Sequence, residues 1–548
     1  MPMPMPNEIG TLRALPSGES FFVGSSSGVF FINTVRRAFS HAAATANRHR
    51  TTTDDSRANR RPVSLPPPED CIVGPESHVD DNWSSVTGPS PEGNPTRPKA
   101  TGDTSWFLDK IENLGELPDQ AVAKELLITY FRTWHPLLPF LHGPTCLEEL
   151  ETLYARGQAT KSNSLSTAIM FQCLFNIAKL DRPDLPALGQ SQIRSGEQLM
   201  LALGIASLKC DLGSIHALLA AQLYFVATMD LRAASTTGGL VLRSIFKSGL
   251  HRCPFRYSHL MTSDRDMRKR VFWSAYTLDR YVSQSLGHPL GIQDSDFDVC
   301  PPGKGDLHQP VRPLNGTDEG TSPKEFILHL PANHPGRQNT SPPNSSASLQ
   351  NESRESSVHV GEEEQQAELQ EANTVGAEFV SQRRRENQSV QAQFVRYSQL
   401  VGRMVEMFHK SIHVRSASRQ NILFLKADID AWGNDLPYPS TTLFAQVNDS
   451  EPQSVTLNQD VFFWVARQQL LLLVNRPSLS LEPTSGEFRH AAQICIGAAR
   501  SIIRTLKSHI NSGGALFWPG FMSAVWMSGL VMAFACQLKL HSISNAIM

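Results

Sequence analysis

Four groupings of residues have types and spacings that could do chemistry. Gly24-Ser25-Ser26-Ser27-Gly28 fits G-x-S-x-G, the nucleophile elbow that lifts a serine onto a tight strand-to-helix turn. Phe21-Phe22-Val23 reads as a strand before it, and Val29 to Ala44 as a helix after it. His409 and His413 stand one helical turn apart, so their imidazoles could share a metal ion. Asp294, Asp296 and Asp298 alternate like the opening of a calcium loop. Such a loop needs glycine at its sixth position and glutamate at its twelfth; here those positions hold Val299 and Gly305. Arg57 to Arg61 and Arg383-Arg384-Arg385 are short basic clusters, which serve nuclear import or simply face solvent.

Each grouping lacks a part its chemistry requires. An elbow needs a parallel sheet built ahead of it to supply the oxyanion-hole loop. Only twenty residues precede Phe21, and no strand–helix alternation follows. Ser26 therefore reads as part of a flexible serine-glycine turn between two apolar patches that dock on the rest of the protein. The histidine pair has no third ligand nearby and no glutamate between its members, and reads as a solvated helix face. The aspartates read as an acidic loop after a helix. The cysteines, Cys71, Cys146, Cys173, Cys210, Cys253, Cys300, Cys495 and Cys536, never come closer than the 27 positions between Cys146 and Cys173. A structural zinc site usually takes two ligands from one C-x₂₋₄-C turn, so these read as small buried hydrophobes in a reducing compartment. No phosphate loop or dinucleotide fingerprint appears. The expectation is no catalytic, cofactor-binding or metal-ligating residue, and no stoichiometric zinc.

The elements that would position any such residue are helices. Asp119 is placed to cap a helix over Gln120 to Trp134, which Pro136 stops. Further helices are expected over Ser164 to Leu180, Ser191 to Leu208, Ser214 to Asp230 and Thr236 to Gly249. Another starts near Ser263, where Val271, Ala275, Leu278, Val282 and Leu286 keep one face of a 3.6-residue period. Gly287 and Pro289 close it. Phe379 to Val414, Ser418 to Trp432, Asp460 to Val474 and Phe488 to His509 follow. Residues 42–104 hold Thr51-Thr52-Thr53, Pro66-Pro67-Pro68 and Gly88-Pro89-Ser90-Pro91 with few large apolar residues, and residues 303–375 are rich in Pro, Ser, Asn, Gln and Glu. They are expected to be disordered, because they cannot bury enough surface to offset ordering. The fold class is thus all-α: a large multi-helix domain in two parts, 105–302 and 376–548, split by a disordered insertion and preceded by segment 1–41 and a disordered linker. Fifty Lys+Arg against 52 Asp+Glu give a net charge of −2 over 548 residues. That balance excludes a non-specific nucleic-acid binder, which needs surplus cations.

Ile510 to Leu538 contains no Asp, Glu, Lys or Arg and is the one membrane candidate. Pro519 and the glycines at 513, 514 and 520 break its first third. The remaining helix, Gly520 to Cys536, is roughly 25 Å long at about 1.5 Å per residue, short for a bilayer core of ~30 Å. It is expected to be a buried core helix rather than an anchor.

Four segments together resemble the fungal-specific transcription-factor regulatory domain, or middle homology region. Tyr130-Phe131-Arg132-Thr133-Trp134-His135-Pro136-Leu137-Leu138-Pro139-Phe140 resembles its opening motif, an aromatic helix ending in His-Pro. Ser248-Gly249-Leu250-His251-Arg252 resembles its Gly-Leu-His-Arg helix end. Arg270-Val271-Phe272-Trp273-Ser274-Ala275-Tyr276-Thr277-Leu278-Asp279-Arg280 resembles its most distinctive helix, and Gly287-His288-Pro289-Leu290 through Asp298 and Pro301 the loop after it. Gly24 to Gly28 is similar to a serine-glycine segment that often precedes the domain.

The resemblance implies a nuclear transcription regulator, not an enzyme, acting in RNA polymerase II transcription. Its partners would be transcriptional co-regulators, DNA through a DNA-binding domain that is missing here or supplied by a partner, a second subunit in a homo- or heterodimer, and a small-molecule effector. Members usually begin with a binuclear zinc cluster of six cysteines within about thirty residues, and the cysteine positions above contain no such run. The two zinc ions of the family would belong only to that missing cluster, so this chain is expected to bind duplex DNA weakly. Trp273 and Phe272 are expected in the core, and Asp279 and Arg280 are expected to pair with neighbouring helices. The rival readings are a serine hydrolase using Ser26 and a helical protein anchored by Ile510 to Leu538.

Overall fold

Asparagine, serine and aspartate side chains open most of the helices in the computed structural model. It describes residues 10–14, 20–32, 35–36, 39–40, 117–155, 165–209, 211–303, 308, 389–410, 418–436 and 457–542. A strand pair, β1 (Gly10–Ala14) and β2 (Ser20–Gly24), forms an antiparallel hairpin with Leu12 opposite Phe22. The first run of helices is α1 (Gln120–Thr133), α2 (Gly143–Ala155), α3 (Leu165–Asp181), α4 (Gly196–Ala206), α5 (Leu212–Ala227), α6 (Leu231–Lys247) and α7 (Thr262–Leu286). The second is α8 (389–409), α9 (Arg419–Asn434), α10 (Gln459–Asn475), α11 (Gly486–Asn511) and α12 (Pro519–Gln537). All described residues lie within one compact unit, Met1–Gln309 with Glu386–Met548.

Caps explain where these helices begin. Asp119 accepts from Ala121 N at 2.9 Å, Asp211 from Ser214 N at 2.8 Å and Asp230 from Ala233 N at 3.1 Å. Ser195, Ser418, Asn458 and Ser485 do the same for α4, α9, α10 and α11. Each satisfies an amide that the first helical turn leaves without a partner. At the other end, Gly249 and Gly287 take φ of 66° and 74°, the left-handed conformation that ends a helix at little cost only for glycine.

Several expected boundaries moved. Residues 192–195 are not helical, and α4 starts at Gly196 because Ser195 is its cap. Helix α6 starts five residues before Thr236. Its Ser-Thr-Thr-Gly-Gly stretch is a poor helix former in isolation, but tertiary packing overrides that: a Cβ on Gly238 would come within 2.6 Å of Gln222 Nε2 on α5. Helix α2 and the hairpin were not anticipated. Only Cys146 and Leu150 of α2 are buried, too sparse a stripe to give a periodic signal. The expected helix over Phe379 to Val414 is helical through its described part, 389–409. The linker 42–104 lies outside the described residues, as does 303–375 apart from Gly303 and His308.

One hydrophobic core runs through both groups of helices. Trp518 joins them. Its ring lies 5.9 Å from Trp134 of the α1 end, 4.9 Å from Tyr281 of α7, 5.6 Å from Phe394 of α8 and 5.9 Å from Phe462 of α10. The rings meet tilted or edge to face, the arrangement the aromatic quadrupole favours. Asp181 anchors Trp134 from below, accepting its indole N–H at 2.7 Å; burial pushes that carboxyl up to about 6, against the pull of Trp134 and Thr133.

Helix α12 is the one helix among the described residues long and apolar enough to cross a membrane, and 56% of its apolar window is buried in the protein. Phe521, Ala524, Val531 and Ala535 pack inward, while Met522, Gly529 and Ala533 form an exposed seam. The helix is a core helix as expected, but covered on most of its circumference rather than all of it.

A buried serine turn and the helix that receives it

Helix α7 carries the first buried polar group. Arg280 is 1% exposed. Its Nη1 donates to Asp279 Oδ2 and its Nη2 to Asp294 Oδ1, both at 2.7 Å. Tyr276 places its ring 4.0 Å beneath the guanidinium and donates its hydroxyl to Asp294 Oδ1 at 2.8 Å. Asp279 also accepts from the amides of Gly291 at 3.1 Å and Ile292 at 3.2 Å. Burial pushes the Asp279 carboxyl up, opposed by Arg280 and those two amides. Arg280 and Asp279 therefore pair within their own helix and the loop after it, not with neighbouring helices as expected. The reason is the turn at Gly287, which folds that loop back along α7. The neighbour α8 supplies only space: a Cβ on Gly402 would sit 2.7 Å from Arg280 Nε.

That use of Asp294 disposes of the calcium-loop pattern. Asp298 goes elsewhere, accepting from Cys253 N at 2.8 Å and pairing with Arg256 Nη2 at 2.8 Å. Asp296 accepts from Ser295 Oγ at 3.0 Å. The three carboxylates serve three different partners. Trp273 and Phe272 are fully buried, as expected of core residues, with the Trp273 indole donating to Cys300 O at 2.9 Å.

The serine turn is the second buried polar group, and here the expectation of a flexible turn is corrected. Ser25, Ser26 and Ser27 are 2%, 0% and 2% exposed. Arg476, in the 3₁₀ turn Arg476–Ser480 after α10, donates Nη2 to Ser25 O at 3.0 Å and to Ser26 O at 2.8 Å. Ser26 Oγ donates to Gln284 O of α7 at 3.1 Å. Ser25 Oγ and His409 Nδ1 of α8 are 2.7 Å apart. Buried polar groups must find such partners or forfeit their hydration; Ser25 and Ser26 find them on three separate elements, while Ser27 Oγ accepts from Val29 N at 3.3 Å within the turn.

Glycines make the approach close enough. Gly24 crosses Gly287 backbone to backbone, and a Cβ on either would collide with the other's main chain. Gly28 faces α12, where a Cβ would meet Met527 Cε at 2.9 Å and Trp526 at 3.1 Å. Phe30, Phe31 and Val35 then bury themselves in the same core, Phe31 edge-on to Phe534 of α12 at 6.1 Å. His288, next to the crossing, is held below the usual histidine range by burial, against a hydrogen bond with the Phe22 backbone.

This geometry does not support the hydrolase reading. The strand before Ser26 belongs to an antiparallel hairpin, not a parallel sheet. The Ser26 hydroxyl is fully buried and donates to the Gln284 carbonyl, and among the described residues no general base is hydrogen-bonded to it. His413 and both arginine clusters lie outside the described residues. His409, one half of that histidine pair, has its Nδ1 against Ser25 Oγ.

The sequence profile described as Fungal specific transcription factor domain matches residues 127–434. The chain belongs to that family. It is 40% identical to a Fusarium proliferatum protein named "Probable transcription factor FUP6", an alignment covering 98% of this chain and 72% of that protein. It is 27% identical to the transcriptional activator protein acu-15 of Neurospora crassa over 39% of this chain and 22% of the relative. With Activator of stress genes 1 of Saccharomyces cerevisiae it shares 28% identity over 34% of this chain and 20% of the relative. The chain thus spans most of the first relative and under a quarter of the other two. It is a fungal transcription-factor regulatory domain. The family match excludes both the serine turn and everything from α10 onward, yet Arg476 of the 3₁₀ turn after α10 and Trp526 and Met527 of α12 form much of the turn's seat.

Proposed function

We propose that this regulatory domain acts in the nucleus, in RNA polymerase II transcription, by gating contacts with co-regulators, and that the seated serine turn couples the segment ahead of the domain to that gate. The observation that carries this reading is the seat itself. A segment that enters before the domain is clamped by Gln284, His409 and Arg476, so its position reports the arrangement of both groups of helices. DNA would be reached through a DNA-binding module that the chain's partners or the whole protein supply, as a homo- or heterodimer, and a metabolite bound between helices would act by shifting the seat's occupancy. The reading includes no enzymatic step.

A reporter experiment tests it. The full chain is fused to a heterologous DNA-binding domain in a fungal host, and transcription is compared for the wild type and for Ser25→Ala, which removes the contact with His409 but keeps the backbone clamp. The wild-type fusion should change reporter output relative to the DNA-binding domain alone, and Ser25→Ala should shift that output at unchanged protein level. A wild-type fusion indistinguishable from the DNA-binding domain alone would defeat the proposal.

A further inference from the structure

Cysteine spacing in the sequence argues against a metal site, but the fold brings three ligands together that the spacing keeps apart. Cys253, just after the α6 end, and Cys300, in the loop after α7, place their sulfurs 3.7 Å apart although 47 positions separate them. The chain then turns at Gly303, whose φ of 77° is in the left-handed region. His308 returns over the pair with Nδ1 at 3.2 Å from Cys300 Sγ. All three donor atoms lie within 4.8 Å of one another. Both cysteines are buried and free, and His308 is half-buried.

We infer that Cys253, Cys300 and His308 form a binding site for a thiophilic d¹⁰ cation, Zn²⁺, with the fourth position open to water. The fit is geometric first. Tetrahedral Zn²⁺ with Zn–S near 2.3 Å needs sulfurs about 3.8 Å apart, and with Zn–N near 2.0 Å a sulfur–nitrogen separation of about 3.5 Å. The observed 3.7 Å meets the first requirement, and 3.2 Å falls a few tenths short of the second. Two thiolates and a neutral imidazole also cancel the ion's charge, which a buried site requires.

The surroundings hold both cysteines in place. Asp298, fixed by Arg256, accepts the Cys253 amide at 2.8 Å, and the Trp273 indole holds the Cys300 carbonyl at 2.9 Å. Such outer-shell bonds orient ligands and tune their basicity. The bound ion would staple the end of α6, the loop after α7 and the start of the segment beyond Gly303. Binding forms two Zn–S bonds and a Zn–N bond, and the two thiol protons pass to solvent.

The test uses the reduced full chain and Co²⁺, a tetrahedral stand-in for Zn²⁺ with visible spectra. The wild type should show a thiolate-to-cobalt charge-transfer band that saturates at one equivalent and is abolished by Zn²⁺. Zinc titration in weak buffer should release about two protons per ion. Cys300→Ser should lose most of the charge-transfer intensity. His308→Ala, which leaves the buried sulfurs untouched and the thermal midpoint of the metal-free chain unchanged, should keep the band but weaken affinity about tenfold or more. No charge-transfer band in the wild type would overturn the site, as would a band undiminished by Cys300→Ser or an affinity unchanged by His308→Ala.

Discussion

The Arg280 guanidinium and the serine turn are both polar groups withdrawn from solvent into an apolar core, yet their partners come from opposite extremes of sequence separation. Arg280 finds its partners one and fourteen positions away, on its own helix and the loop that Gly287 folds back. Ser25 and Ser26 find theirs 258, 384 and 450 positions away. A local cluster needs only its own helix and turn to form. A remote one needs every helix that contributes a wall, so its occupancy reads the integrity of the whole domain. The comparison assigns distinct work to two features of the same helix: the middle of α7 stabilises the family's characteristic core, and its C-terminal end receives a segment from outside the family match.

The largest effect should come from closing the backbone crossing. Gly24→Ala or Gly287→Ala places a Cβ inside the other glycine's main chain, and at Gly287 it also forces alanine into a left-handed conformation. Either should cost at least about 4 kcal/mol in urea unfolding. Hydrogen exchange sharpens the contrast: amides of Gly291 and Ile292, which bond Asp279, should keep their protection in Gly24→Ala. A cost under about 1 kcal/mol would mean that the crossing relaxes freely and the turn is no reporter.

Breaking the local cluster should come next. Arg280→Ala strands Asp279 without its cation and should cost about 3–5 kcal/mol, with exchange protection lost at Gly291 and Ile292. If those amides stay protected while the serine turn loosens, the two groups are one network and the distinction fails.

The smallest effect is the His288 share of an acid sensitivity that His135 and His216, held down to about 3 and about 4 by burial, also carry. His288 is held below its ordinary range, so below about pH 6.5 the unfolded chain takes up a proton that the folded chain resists. Its contribution to stability is therefore present at neutral pH and lost as pH falls through the ordinary histidine range towards the depressed value. The wild type should lose more stability than His288→Gln between neutral and mildly acidic pH. Identical slopes for the two proteins would remove His288 from the seat's energetics.

What could be read beforehand divides along the same line. Helix α7, its stop at Gly287, the Asp119 cap and the break at Pro136 were legible, because a 3.6-residue period and local punctuation are written in adjacent residues. So was the core position of Trp273. Arg280 was read as a bridge to other helices, since a charge within an apolar stretch gives no hint that the loop behind it returns. Helix α2 hid because two buried residues make no pattern. The serine turn was visible as a motif but not as a buried one: nothing near Ser26 announces Arg476. Cys253 and Cys300 were read as separate small hydrophobes because they stand 47 positions apart, and nothing in the spacing brings His308 to them; their proximity is a product of the fold.

The clamp on the serine turn has a consequence for how the chain is made. Ser25 leaves the ribosome 451 positions ahead of Arg476, which holds its carbonyl. At synthesis rates of about 5–20 residues per second, roughly 20 to 90 seconds separate the two. Throughout that interval Phe30, Phe31 and three serines have no seat to enter. The serine turn is thus made well before the residues that lock it, and a polypeptide must be synthesised through α12 before the seat is whole. Products that stop short of α12, whatever helices they have formed, leave the turn without its full seat and open to chaperones and proteases.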